Sequence, residues 1–178
     1  MIAWIQSFDW KTLHWLHDTL RCGVMDFVMP CITALGNGGA IWIIAAVAMT
    51  ISKRYRKYGA VMLAALAIGA LIGDVLLKPL IARARPCWLE NVSLLITTPT
   101  DYSFPSGHTL AAVVGAIVLT AANRKFGYGA IPLAALIGFS RLYLYVHFPS
   151  DVLASVLIGT AIGMSAILAG RTIARTKT

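Results

Sequence analysis

Ser106, Gly107 and His108 stand where an irregular segment, Tyr-Ser-Phe-Pro over residues 102–105, gives way to an apolar run over 110–122, so a helix should begin at them. The first backbone N–H groups of a helix have no partner within it and lie at the positive end of its dipole, which makes a helix start receptive to an anion. His108, in that first turn, adds a group that exchanges a proton near neutral pH. Taken alone, the same residues are equally a serine N-cap beside a surface histidine. Upstream, Pro79 cannot sit mid-helix, so the membrane helix should kink or restart at Lys78 with Pro79 in the new first turn. Lys78 and Arg85, at about 100° per residue, return to nearly one azimuth, while Arg83 points elsewhere. The competing reading is a set of cations snorkelling from a helix end. Downstream, Arg141 lies in or beside an apolar run, and Asp151 follows His147 by four residues. A carboxylate there can accept the N–H of one imidazole nitrogen and leave the other free as nucleophile or base. A structural pair or a helix cap would use the same spacing.

The elements that must carry these residues are membrane helices. Of the 178 residues, 58% are apolar and only 12% charged, far from the roughly 25% charge of soluble proteins. The net charge of +8 does not indicate nucleic acid, because the basic residues are interrupted by spans too apolar for a soluble nucleic-acid module. Residues 1–21 set Trp4, Phe8, Leu13, Trp15, Leu16 and Leu20 against Asp9, Lys11, His14, His17 and Asp18 at near-helical spacing, the pattern of an amphipathic helix lying at the interface. Asp9 and Lys11 interrupt any early apolar core, so no cleavable signal peptide is expected. His14 and His17 read as solvated interfacial residues rather than metal ligands. Residues 22–36, with Asp26 and Pro30, are too short to cross alone at ~1.5 Å per residue against a ~30 Å hydrocarbon core, and suggest a short, tilted or re-entrant helix. They end at Gly36-Asn37-Gly38-Gly39, a strong turn signal.

Clearer spans cover residues 40–51, 58–77, 109–122, 128–146 and 152–169. The expected fold is therefore all-α, a polytopic membrane helix bundle of five to six transmembrane helices with an N-terminal amphipathic interfacial helix. Residues 1–36 form its peripheral part and 37–178 the core. Lys53, Arg54, Arg56 and Lys57, then Arg124 and Lys125, then Arg171, Arg175 and Lys177 fall on one side of such a bundle, which the positive-inside rule makes cytoplasmic. The region from Lys78 to Gly107 and the connection around His147 then lie on the other side. Three cations there, Lys78, Arg83 and Arg85, run against the topological bias, so something anionic should be bound. Asp74 could pair with Lys78 or make a packing hydrogen bond within the membrane, whereas Glu90 and Asp101 are read as standing apart in the loop. Cys22, Cys31 and Cys87 lack metal-ligand spacing and read as small apolar filler.

Taken together, Lys78-x6-Arg85-Pro86, Pro105-Ser106-Gly107-His108 and Ser140-Arg141-x5-His147-x3-Asp151 resemble the three signature motifs of the type 2 phosphatidic acid phosphatase family. These membrane lipid phosphate phosphatases are related to glucose-6-phosphatase, bacterial acid phosphatases and vanadium haloperoxidases. The resemblance covers residues 78–151, with motifs at 78–86, 105–108 and 140–151. It implies that His147 attacks phosphorus to give a phosphohistidine, that Asp151 orients the imidazole, and that His108 protonates the leaving oxygen and then activates water. Lys78, Arg85, Arg141, Ser106 and the Gly107 N–H would hold the non-bridging oxygens. Guanidinium and ammonium groups replace a metal in this scheme, so neither metal nor other cofactor is expected.

The implied substrate is a lipid phosphate or pyrophosphate taken from the membrane lipids on the non-cytoplasmic face, with undecaprenyl pyrophosphate first. Phosphatidylglycerol phosphate and phosphatidate would engage the same residues. A lipid phosphotransferase and a non-catalytic head-group binder are the readings from other classes. The apolar spans argue against a soluble haloperoxidase.

Overall fold

The computed structural model describes residues 3–175, with side chains to residue 172. Lys177 therefore lies outside the described residues, as does the side chain of Arg175. All regular structure among the described residues is helical: α1 (Ala3–Leu20), α2 (Gly23–Leu35), α3 (Ala40–Ile51), α4 (Arg56–Ala70), α5 (Lys78–Ile81), α6 (Pro86–Leu89), α7 (Gly107–Ala122), α8 (Arg124–Tyr143) and α9 (Pro149–Arg175). The apolar runs thus become helices where expected.

By length and apolarity, Arg56–Leu89 and Pro149–Thr172 suffice to cross a membrane. Gly23–Leu35 and Asn37–Ile51 together would form a third crossing, bent by 43°. Residues 22–36 thus hold a short helix of their own, which is one half of this bent pair, a broken span or a re-entrant loop. The break is the turn Asn37–Gly39, where Gly38 (φ 58) and Gly39 (φ 70) take left-handed backbone that side chains disfavour.

Helix α7 is central, packed by α4, α8 and α9. The core formed by Trp42, Ala46, Met62, Ala112, Ala116, Ala134 and Ile137 fills the space between α3, α4, α7 and α8. Small residues set the closeness of these helices, as is usual where lipid provides no hydrophobic drive for helix association. A Cβ at Gly115 would collide with the Trp42 ring, and one at Gly59 would lie 2.6 Å from the Ala46 carbonyl oxygen. Outward, Ile44, Ile51, Leu71, Val75, Tyr128, Leu157 and Leu168 are exposed, an apolar exterior suited to lipid.

The two described basic connections meet at one end of the bundle. Asn123 Nδ2 donates to the Tyr55 hydroxyl at 3.2 Å, and the rings of Tyr55 and Phe126 are 5.3 Å apart. The segments bearing Lys78, Arg85, His108 and His147 gather around a cavity at the other end.

Between α4 and α5 the chain departs from the expected kink at Lys78. Pro79 has no N–H to donate and its ring crowds the carbonyl four residues back. Residues Leu71–Leu77 absorb this as a π-helical segment, with the Lys78 N–H bonded to the Gly73 carbonyl, so the helix continues rather than restarting. Helix α5 then ends at Ala82 in left-handed conformation (φ 47). Arg85 consequently reaches the Lys78 side through a loop, not by two turns of helical azimuth.

Candidate active site

The π segment and α5 bring Lys78 to the mouth of a cavity of about 1030 Å³. The loop before α6 brings Arg85, the start of α7 brings Gly107 and His108, the end of α8 brings Arg141, and the connection before α9 brings His147; all six line this cavity. Ser106 and Asp151 are fully buried behind it.

The carboxylate of Asp101 reaches both Lys78 and Arg85. Its Oδ1 accepts from Arg85 Nη2 at 2.8 Å, and its Oδ2 accepts from Lys78 Nζ. Asp101 therefore does not stand apart in the loop. The distance in sequence concealed a fold that returns residues 90–106 over the cations, with Arg85 Nε also donating to the Asp101 carbonyl at 2.7 Å. Asp74 pairs with Lys78 as well, at 2.5 Å. Glu90 is bound too, by the Tyr145 hydroxyl at 2.6 Å and by His14 Nε2 at 3.0 Å. The Tyr145 hydrogen bond, opposed by burial and helped by His14, holds the Glu90 carboxyl below its ordinary range.

Arg141 differs from the other two cations lining the cavity. It is buried and donates from Nη1 to Thr33 Oγ1 at 2.6 Å, yet no carboxylate among the described residues pairs with it, and its Nε is buried without a partner. A guanidinium so placed on the cavity wall has charge to offer an anion.

His147 has a defined tautomer by its partners. Ser103 Oγ donates to Asp151 Oδ2 at 2.6 Å, so it is an acceptor for His147 Nδ1–H at 3.4 Å. The direct separation of His147 Nδ1 from Asp151 Oδ2 is 3.9 Å, so the serine hydroxyl relays a contact that the four-residue spacing suggested would be direct. With the proton on Nδ1, the Nε2 lone pair faces Arg85 Nη1 at 3.1 Å. Burial pushes the imidazole down to about 3, Asp151 opposes this, and Arg85 and Arg141 push it further down. His147 is therefore neutral at physiological pH, the form that can use a lone pair as nucleophile.

Asp151 also fills the capping role open to it from sequence, since its Oδ2 accepts the Phe148 N–H at 2.9 Å at the start of α9. His147 itself precedes that helix. At the start of α7, Ser106 caps through its side chain. The Ser106 N–H is taken by Ser155 Oγ at 2.8 Å, which ties α7 to α9. Among the described residues, the N–H groups of Gly107 and His108 remain the orphans of this helix start. His108 Nε2 meets Asn37 Oδ1 at 2.9 Å, which occupies one ring nitrogen.

Asn37, Thr33, Ser103 and Asp101 were not assigned to the site from sequence. Asn37 carried only a turn signal, and none of the four belongs to a spaced pattern. Arg83 indeed leaves the Lys78 side, but its anions are the protein's own. It donates to Asp151 Oδ1 at 2.5 Å and to Asp9 Oδ2 at 2.6 Å.

Fold and site together define a helical membrane protein with a buried histidine beside three cations that line one cavity. The chain belongs to the PAP2 superfamily, whose family model matches residues 54–174. It is 36% identical over 130 residues to an undecaprenyl-diphosphatase of Sulfolobus acidocaldarius, covering 71% of this chain and 62% of that protein. It is 33% identical over 157 residues to an undecaprenyl-diphosphatase of Bacillus subtilis, covering 86% and 78%. The crystal structure of a transmembrane PAP2-type phosphatidylglycerolphosphate phosphatase from Bacillus subtilis superposes with a TM-score of 0.79 at 27% identity, covering 96% of this chain and 88% of that one.

Proposed function

We propose that this protein hydrolyses a lipid phosphate or pyrophosphate on the non-cytoplasmic face of the cell membrane through a phosphohistidine on His147. The observation that carries the reading is the single Asp101 carboxylate bridging Lys78 and Arg85 beside the Nε2 of a neutral His147. Two oxygens of one phosphate would take the same two cations, and Arg141, without a carboxylate of its own, supplies a third.

In the first half-reaction the Nε2 lone pair forms a bond to phosphorus as the bridging P–O bond breaks. His108, protonated once the bound phosphate offsets the charges of Arg141, Lys78 and Arg85, gives that second proton to the leaving oxygen. In the second, water attacks the phosphohistidine, His108 takes the water's proton, and the N–P bond breaks to release inorganic phosphate. Lys78, Arg85 and Arg141 neutralise the non-bridging oxygens throughout, which supplies the positioning and electrostatic stabilisation that phosphoryl transfer requires. The Gly107 N–H adds a donor from the helix start.

A membrane lipid is supported by the cavity's lining, which continues from the cations to Ile43, Leu63, Leu66, Ala67 and Leu110. Such a wall accommodates an acyl or isoprenoid tail. The side is supported by the meeting of the Lys53–Lys57 and Arg124–Lys125 connections at the opposite end of the bundle. Five to six crossings, with α1 at the interface presenting exposed Trp4, Phe8 and Trp15, complete the proposed topology.

Undecaprenyl pyrophosphate is the first substrate proposed, on the likeness to two undecaprenyl-diphosphatases. Phosphatidylglycerol phosphate is the second, on the likeness to the Bacillus structure. Phosphate release by purified protein in detergent, with EDTA and without any lipid acceptor, tests the reading. Undecaprenyl pyrophosphate, phosphatidylglycerol phosphate and phosphatidate are compared, with His147→Ala as control. Release that needs His147 supports hydrolysis, and the ranking names the substrate. Release only with an acceptor would instead mark a phosphotransferase, and binding with no turnover a head-group binder.

A further inference from the structure

Asp9, on α1, is fully buried, where its place among Lys11, His14 and Asp18 predicts a solvated face. Its Oδ2 accepts from Arg83 Nη2 at 2.6 Å and from Ser150 Oγ at 2.6 Å, and its Oδ1 accepts the Ser150 N–H at 2.9 Å. Arg83 in turn donates from Nη1 to Asp151 Oδ1 at 2.5 Å and to Ser150 Oγ at 2.7 Å, with its guanidinium carbon 4.0 Å above the Phe148 ring centre. Both carboxylates are fully buried and Arg83 nearly so. Three ionised groups are thus sealed together behind His147, two negative and one positive.

We propose that Asp9 is a positioning residue for the phosphoryl-transfer reaction, acting on His147 through Arg83 and Asp151. The inference rests on the functional reading above. If Arg83 faced Asp151 alone, the two charges would cancel and little negative potential would reach the imidazole. Asp9 cancels Arg83 instead, which leaves Asp151 the equivalent of a full negative charge to present to the ring through Ser103. That charge matters when His147 Nε2 bonds to phosphorus, because the ring then becomes cationic while still buried. The excess of one negative charge in the Asp9–Arg83–Asp151 set balances it, in a medium where unbalanced charge is costly. Asp9 does not line the cavity, so it should act on the chemical step rather than on head-group binding. The N-terminal helix thereby becomes part of the catalytic apparatus.

The test is steady-state hydrolysis by Asp9→Asn, Arg83→Gln and the double variant, alongside wild type and His147→Ala, with inhibition by inorganic phosphate measured on each. Asp9→Asn should lower kcat by about tenfold to a hundredfold, the scale of a misplaced reacting group. KM and the phosphate inhibition constant should stay within about twofold of wild type. In the Arg83→Gln background, Asp9→Asn should not lower kcat further, because Asp9 then has no cation to neutralise and Asp151 keeps the single negative charge it has in wild type. Unchanged kcat in Asp9→Asn overturns the proposal. So does a parallel loss of phosphate binding, which would mean the site has collapsed, or an effect that persists in full without Arg83. Absence of His147-dependent turnover in the wild type would overturn the functional reading itself, an outcome distinct from these.

Discussion

Asp101 occupies the two cations that the proposed reaction gives to the substrate phosphate, so neutralising it should strengthen anion binding. Its side chain is 50% exposed, and ion pairs of that exposure contribute only ~0.2–1 kcal/mol after screening. Substrate displaces the carboxylate at that cost. Asp101→Asn, which keeps the shape and removes the charge, should lower the inhibition constant of inorganic phosphate by up to about fivefold, the equivalent of ~1 kcal/mol. The assay is phosphate inhibition of turnover in detergent micelles at neutral pH, repeated at raised salt, where the difference between the two proteins should shrink. A constant unchanged at low salt, or raised, would refute the reasoning and make Asp101 an orienting partner of the cations instead of their competitor.

The same contacts set a pH dependence. Burial raises the Asp101 carboxyl, but the Lys78 hydrogen bond and the charges of Arg85 and Lys78 prevail and hold it at about 2. The folded value lies below the ordinary ~3.9 of an unfolded chain. Its contribution to stability is therefore fully present above about pH 4 and is lost as pH falls through about 2. Wild type and Asp101→Asn should differ in thermal unfolding at pH 6 and converge at pH 2.

Other perturbations separate the remaining roles. His108→Ala should lower kcat by about a hundredfold or more on a lipid substrate, and by much less on an aryl phosphate whose leaving group needs no proton. An equal loss on both substrates would remove His108 from the proton-transfer role. Arg141→Lys retains charge but not the planar fork, and should lower kcat/KM by about tenfold; full activity would show that no anion uses the guanidinium. Gly115→Ala places a methyl against Trp42 and should cost ~1–3 kcal/mol, read as a fall in the thermal unfolding midpoint in detergent.

Much of the helical layout was legible because membrane spans announce themselves as long apolar runs, and α3, α4, α7, α8 and α9 lie on them. The residues at and behind the cavity were legible where chemistry imposed local spacing, as for His147 with Asp151 and for the helix start at Gly107. Long-range pairings were not. Asp101 and Asn37 reach the site from a loop and a turn that have no periodicity to read. Asp9 was concealed differently, since one aspartate among Lys11, His14 and Asp18 has the pattern of a wet face, and only packing against Arg83 and Ser150 turns it inward. Pro79 was correctly read as incompatible with regular helix, but a proline can be met by a kink or by a widened turn, and the chain takes the second course.

The most direct test of the central claim is to stop the enzyme chemically during turnover of a lipid substrate carrying labelled phosphate, under alkaline conditions that preserve phosphohistidine, and to locate the label by peptide mapping. The account predicts label on His147 and none in the His147→Ala protein, which should also release no phosphate. Sustained turnover by His147→Ala, or label confined to another residue, would contradict it.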